Sequence, residues 1–168
     1  METDREKLIA YLKFLNLKLD PSNSGDRFRI QKMAFLLKSM GTGLNYEFTF
    51  YRHGVYSKDL YEESRDHKDD FALLRSNYKI NDNERMILDK LKNKIPDNDL
   101  MEALTTIIYE NIIYSDIEEI IKSVKKLKPH LNDSIIISAV DLAKRFLFKN
   151  EYLTKEIKKE IEAWDNID

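Results

Sequence analysis

Residue types able to carry acid–base or metal chemistry are sparse in this chain. There are three histidines, His53, His67 and His130, and none has a second histidine at metal-ligand spacing. Asp66-His67-Lys68-Asp69-Asp70 gathers carboxylates around an imidazole. It lacks the alternating ligands, central glycine and terminal glutamate of a calcium loop, and reads as a solvated acidic helix end and loop. Cysteine is absent, which excludes disulfides, thiol catalysis and thiolate metal sites. Gly41-Thr42-Gly43 has neither the following lysine nor the preceding strand of a phosphate loop, so it reads as a helix stop. No Ser-His-Asp order and no dinucleotide fingerprint occurs. His53 alone would serve as an acid or base, with no nucleophile or cofactor in sight. The expected protein is not an enzyme and has no cofactor or metal.

The sharpest local feature is Arg52-His53-Gly54-Val55-Tyr56-Ser57. Gly54 tolerates positive φ, as tight turns often require, and the Ser57 hydroxyl is placed to accept from the first amides of a following helix. Upstream, Gln31 has both a donor and an acceptor to offer the backbone of that turn, and Lys32 is expected to snorkel past the aromatic strand to solvent. Gln31, Lys32, Gly54 and Ser57 thus form a structural turn motif. Each of these residues has a local structural job, so the motif is first of all a fastening. The partner-binding surface expected beside it comprises Arg52, His53, Tyr56 and Lys58, with an exposed Tyr46 or Tyr51. Tyrosine and arginine combine area with hydrogen bonding at interfaces.

A second partner class follows from charge. Arg27, Arg29, Lys32, Lys38 and Arg52 give residues 21–56 a net charge of +3. A winged helix uses such cations on phosphates, so Arg27, Arg29, Lys32 and Lys38 are the alternative nucleic-acid-binding set. Against it, the charges fall on two separate stripes of an otherwise apolar helix, whereas a recognition helix needs one open polar face. Tyr46, Phe48, Phe50, Tyr51 and Tyr56 could stack bases, but at period two half of them belong in a core. A DNA-binding regulator is therefore the alternative to a protein-binding module.

These residues must be positioned by helices. Four glycines and three prolines in 168 residues are too few for a sandwich or barrel of many short strands. At 42% hydrophobic and 35% charged, the chain can bury one core. Amphipathic spacing predicts helices over 4–19, from Asp26 to about Gly41, and over 58–67, 83–94, 98–114, 116–128, 133–149 and 153–165. The second is apolar nearly all round, as a central helix is, and Phe35 is placed in its core. Ser115 and Glu118 read as a capping box, and Asn132 or Asp133 as the next cap. Residues 46–51 are the best strand, and 77–80 the expected partner in a small wing packed on the helices. The fold expected is mainly α, a single domain over 1–168 with that two-stranded wing. Apolar runs are far short of a bilayer span, no apolar signal segment opens the chain, and the net charge of -2 gives no general pull toward acidic surfaces. A cytoplasmic protein with no membrane partner is expected.

Arg29–Leu37, Tyr46–Phe50 and Tyr51–Leu60 together resemble the YwgA-like family of small prokaryotic proteins. Its hallmark is a Gln-Lys helix, an aromatic strand and a Gly-Pro-Tyr-Ser-x-x-Leu turn, with Val55 here in place of the proline. Leu100-x-x-x-Leu104 and Leu127-Lys128-Pro129-His130-Leu131 also look like that family. The turn is similar to those of Panacea-type antitoxin domains. The resemblance implies a helical fold, a prokaryotic or viral setting, and a module of antitoxin or adaptor type that grips a protein partner.

Overall fold

In the computed structural model, residues 3–148 and the single position 162 are described. The chain divides into two compact units, Met1–Ile95 and Pro96–Asp168, where the sequence suggests one domain. The helix expected over 153–165 lies outside the described residues.

The first unit is organised around α2 (Ser24–Ser39), whose residues Ile30 to Leu37 are all buried, Gln31 and Lys32 included. Asn23, not Asp26, caps it: Asn23 Oδ1 accepts from the Asp26 amide at 3.1 Å, and the Asp26 carboxylate accepts from the Asp20 amide. Phe35 is buried as expected and meets Phe48 edge-on, with ring centroids 5.3 Å apart. Ahead of it, α1 (Asp4–Phe14) stops five residues short of the expected end. Asn16 takes a left-handed φ of 57° there, and its amide and that of Leu17 close back on Lys13 and Leu12 carbonyls. Leu15 and Leu19 stay buried beyond the helix.

The small sheet pairs β1 (Thr49–Tyr51) with β2 (Gly54–Tyr56), antiparallel, in the register Thr49↔Tyr56, Phe50↔Val55 and Tyr51↔Gly54. The wing is present, but its second strand is the segment expected to be only a turn. Residues 77–80 are not a strand. Side chains fix that segment instead: Ser76 Oγ donates to the Glu6 carbonyl, and the Tyr78 ring stands edge-on to Tyr11. A hairpin closes through a few residues, at far less chain entropy than pairing across a gap of about 25. Gly54, at φ 94°, follows Arg52 and His53, neither of which is left-handed. That pattern is a tight turn closed by a left-handed glycine.

After the hairpin come α3 (Lys58–Asp66), the short α4 (Lys68–Ala72) and α5 (Asp82–Lys92). The buried Glu84 of α5 accepts from the hydroxyls of Tyr11 and Tyr78, each at 2.7 Å, and from the Asn81 amide. A buried carboxylate is tolerable only when its oxygens are so occupied.

The second unit contains α6 (Asn98–Tyr109), α7 (Ile117–Leu127) and α8 (Asp133–Leu147), packed on one another. Left-handed Asn111 ends α6 before the expected residue 114. Asp116, one residue beyond the expected Ser115, caps α7 by accepting from the Glu119 amide, and Asn132 caps α8 as expected. Between α6 and the α7–α8 connection, Lys128 Nζ lies 2.9 Å from Glu102 Oε1, and His130 Nε2 lies 3.0 Å from Glu102 Oε2.

Two measurements test this packing. Phe35→Ala should destabilise the protein by about 3–5 kcal/mol in chemical denaturation, as loss of a buried ring with incomplete collapse does. Burial pushes the Glu102 carboxyl up, but hydrogen bonds from His130 and Lys128 outweigh it and hold the group below its ordinary 4.5. Its folded value is depressed, so its contribution is present above pH 4.5 and disappears as pH falls through the folded value. Thermal unfolding followed from neutral to acid pH should therefore lose less stability in Glu102→Gln than in the parent.

Candidate functional site

The hairpin's pairing sorts its side chains. Phe50 and Val55, opposite each other, take one face, and Val55 is buried. Thr49, Tyr51 and Tyr56 share the other, since cross-strand partners point the same way. Tyr51 is 68% exposed and Tyr56 half-buried. Helix α3 then brings Tyr61 beside them. The ring centroids run Tyr51 to Tyr56 at 6.1 Å and Tyr56 to Tyr61 at 6.2 Å, and the Arg65 guanidinium sits 5.9 Å from the Tyr61 ring. Burial, and then neighbouring Tyr61, Glu62 and Tyr51, push the Tyr56 phenol upward.

This row of tyrosines forms one wall of an open groove of about 990 Å³, with Phe28 on α2 also lining it. Two residues of α2 hold the hairpin against the helix. Gln31 Nε2 donates to the Ser57 carbonyl at 2.9 Å, while Gln31 Oε1 accepts from the Ser57 amide at 2.8 Å. Lys32 Nζ donates to the carbonyls of His53 at 2.6 Å and Val55 at 2.8 Å, and lies 4.7 Å from the Phe28 ring centre. The expectation for Gln31 holds. That for Lys32 does not: its side chain is buried at 2% exposure instead of reaching solvent, because two backbone carbonyls wait at its tip. Ser57 caps α3 as expected, its Oγ accepting from the Leu60 amide.

The expected binding residues do not all gather in one place. His53, Tyr56 and Lys58 line the groove, whereas Arg52 is exposed at the hairpin tip outside its lining. Tyr46 is not exposed. It is buried, its hydroxyl hydrogen-bonds Glu63 Oε2 at 2.5 Å, and burial and that bond raise its phenol. Tyr51 is the exposed member of that pair.

The alternative cationic set is largely spent on the backbone. Lys38 Nζ donates to the Tyr46 carbonyl at 2.6 Å and Arg27 Nη1 to the Pro21 carbonyl at 2.9 Å, alongside Lys32. Arg29 is half-buried. The His53 ring lies exposed, with its carbonyl engaged by Lys32. His67 Nδ1 is 3.7 Å from Asp70 Oδ2, and among the described residues no group of three or more His, Asp or Glu side chains is arranged to hold a metal.

Sequence reasoning missed Tyr61, Phe28, Glu47, Asp59 and Glu62, which complete the groove. The spacing of Tyr56 and Tyr61 across a helix start was the available signal, since the first turn of α3 carries Tyr61 back beside the strand. No protein family, no curated protein and no solved structure matches the chain, so geometry carries the functional argument.

Gln31→Ala should destabilise the protein by about 1–3 kcal/mol, because it strands the main-chain amide of the fully buried Ser57, whose carbonyl still accepts from the Tyr61 amide. Equilibrium denaturation checks this, and a loss below about 0.5 kcal/mol would show that water replaces the amide.

Proposed function

We propose that this protein is a non-enzymatic protein-binding module of antitoxin or adaptor type, working in the cytoplasm, with the groove beside its hairpin as the contact surface. One observation carries the reading: three tyrosines in a continuous row, Tyr51, Tyr56 and Tyr61, open on a groove whose rim is polar. Rigid aromatic rings with a hydroxyl at the tip supply contact area at small cost in conformational freedom, and a polar rim excludes water around them. The Gln31 and Lys32 hydrogen bonds hold the row in place before any partner arrives, which lowers the ordering cost of binding.

Charge favours a protein over a phosphate backbone. The groove is lined by Arg27, Lys32 and Lys58 against Glu47, Asp59 and Glu62, and two of those three cations donate inward to carbonyls. Duplex DNA would demand outward-facing cations along its track. Among the described residues no helix is long and apolar enough to cross a membrane, consistent with a partner that is not a bilayer core.

The double substitution Tyr51→Ala and Tyr56→Ala should abolish partner capture from the native host, each ring of the row contributing about 2 kcal/mol as an interface anchor. Circular dichroism must stay helical and the melting point near that of the parent. Tight, salt-steep binding of duplex DNA by the purified protein would instead establish the regulator alternative.

A further inference from the structure

The charges around the tyrosine row are not equivalent, and their inequality says what kind of segment the groove takes. On the cationic side, Arg27 and Lys32 are turned to the Pro21, His53 and Val55 carbonyls, and Lys58 lies 4.0 Å from Glu62. On the anionic side, Glu47 and Asp59 are exposed and make no ion pair among the described residues. The same flank of α3 borders a second cleft, of about 390 Å³, where Asp59 and Glu62 are joined by Asp4, Glu63 and Asp66, with His67 as its one basic lining residue. The apolar floor of the groove therefore lies beside the exposed carboxylates of Glu47 and Asp59, with Arg27 and Lys32 engaged by carbonyls and Lys58 and Glu62 only loosely paired across the surface.

Ring faces attract cations through their quadrupole, most strongly when a carboxylate stands nearby to complete the charge. The tyrosine row already displays the contact in Arg65 against Tyr61. We infer that the groove receives a basic segment of the partner, an extended or helical stretch whose arginine or lysine side chain lies across Tyr51 and Tyr56 with its charged head toward Asp59 and Glu62. This narrows the protein-binding reading above and rests on it. An arginine suits the site best, since its planar fork stacks on a ring while its edge donates to a carboxylate. Acidic and purely apolar segments are disfavoured, the first by repulsion from the α3 carboxylates, the second by leaving them facing an uncharged chain.

The test uses the full chain, with isotope-labelled tyrosine, titrated with the blocked peptide Ac-Ala-Arg-Ala-Arg-Ala-NH2 at millimolar concentration. Parallel titrations use its glutamate counterpart and a short oligothymidylate. The arginine peptide should shift ring signals of Tyr51, Tyr56 and Tyr61, and the glutamate peptide should not. Tyr51→Ala and Glu62→Gln should each weaken the peptide by about threefold to fivefold, while Tyr51→Phe keeps it, because the ring and not the hydroxyl meets the cation. Tyr51 is largely exposed and Glu62 lies on the helix surface, so neither change should lower the melting point. Absence of shifts with the arginine peptide, shifts confined to other tyrosines, or equal binding of the glutamate peptide overturns the basic-segment inference. If capture of the native partner still depends on Tyr56 in that case, the protein-binding reading survives alone. Oligothymidylate shifting the same rings with steep salt dependence overturns both.

Discussion

Two adjacent side chains on the most buried helix set the geometry of the first unit. Gln31 and Lys32 lie in a run of α2 that is otherwise apolar, and an unpaired polar group there would cost several kcal/mol. Both are satisfied by one short piece of main chain, the carbonyls of His53, Val55 and Ser57 and the Ser57 amide. The requirement acts in both directions. The hairpin's β2 strand would have an unpaired edge, and α2 would have stranded polar tips, so each supplies what the other lacks. Three-residue strands are too short to stand alone, and this attachment is what makes the hairpin a fixed element.

From that attachment the groove follows. With β2 held on α2, the register Phe50↔Val55 puts those two side chains on one face and leaves Thr49, Tyr51 and Tyr56 on the other. Ser57 ends the strand and starts α3 in the same residue, so Tyr61 rises one turn later beside Tyr56. Gly54 at φ 94° allows the chain to reverse in so few residues. A row of three rings along the groove thus arises from one buried pair, one glycine and one cap.

Much of this was legible in the sequence, and the parts that were not share a physical cause. The apolar circumference of α2 identified it as central, and Gln31, Gly54 and Ser57 could be assigned their roles from what their backbone and side chains can do. Two helix ends were misplaced where asparagine turned left-handed: Asn16 and Asn111 stop α1 and α6 by adopting the conformation expected mainly of glycine, as Gly41 does after α2. Hydrophobic spacing runs on past those points, because Leu15, Leu19 and Ile113 remain buried without being helical. The pairing of 46–51 with 77–80 failed for a related reason. Periodicity marks a segment as extended but says nothing of its partner, and a three-residue strand leaves almost no pattern to read.

Lysine shows the deeper limit of reading charge from sequence. Arg27, Lys32 and Lys38 look, by composition, like a basic patch for phosphates. In the folded chain each donates to a main-chain carbonyl of a loop or strand beside α2. The formal charge is unchanged, yet the donors face inward, and what the groove offers outward is the carboxylate side of α3. A net charge of +3 over residues 21–56 therefore coexists with the exposed carboxylates of Glu47 and Asp59 beside the groove. The sign of a segment tells which partners are attracted only when its charges are free to meet them. Here the backbone is the partner that the cations have already found, and the field left for an incoming chain is set by Glu47, Asp59 and Glu62.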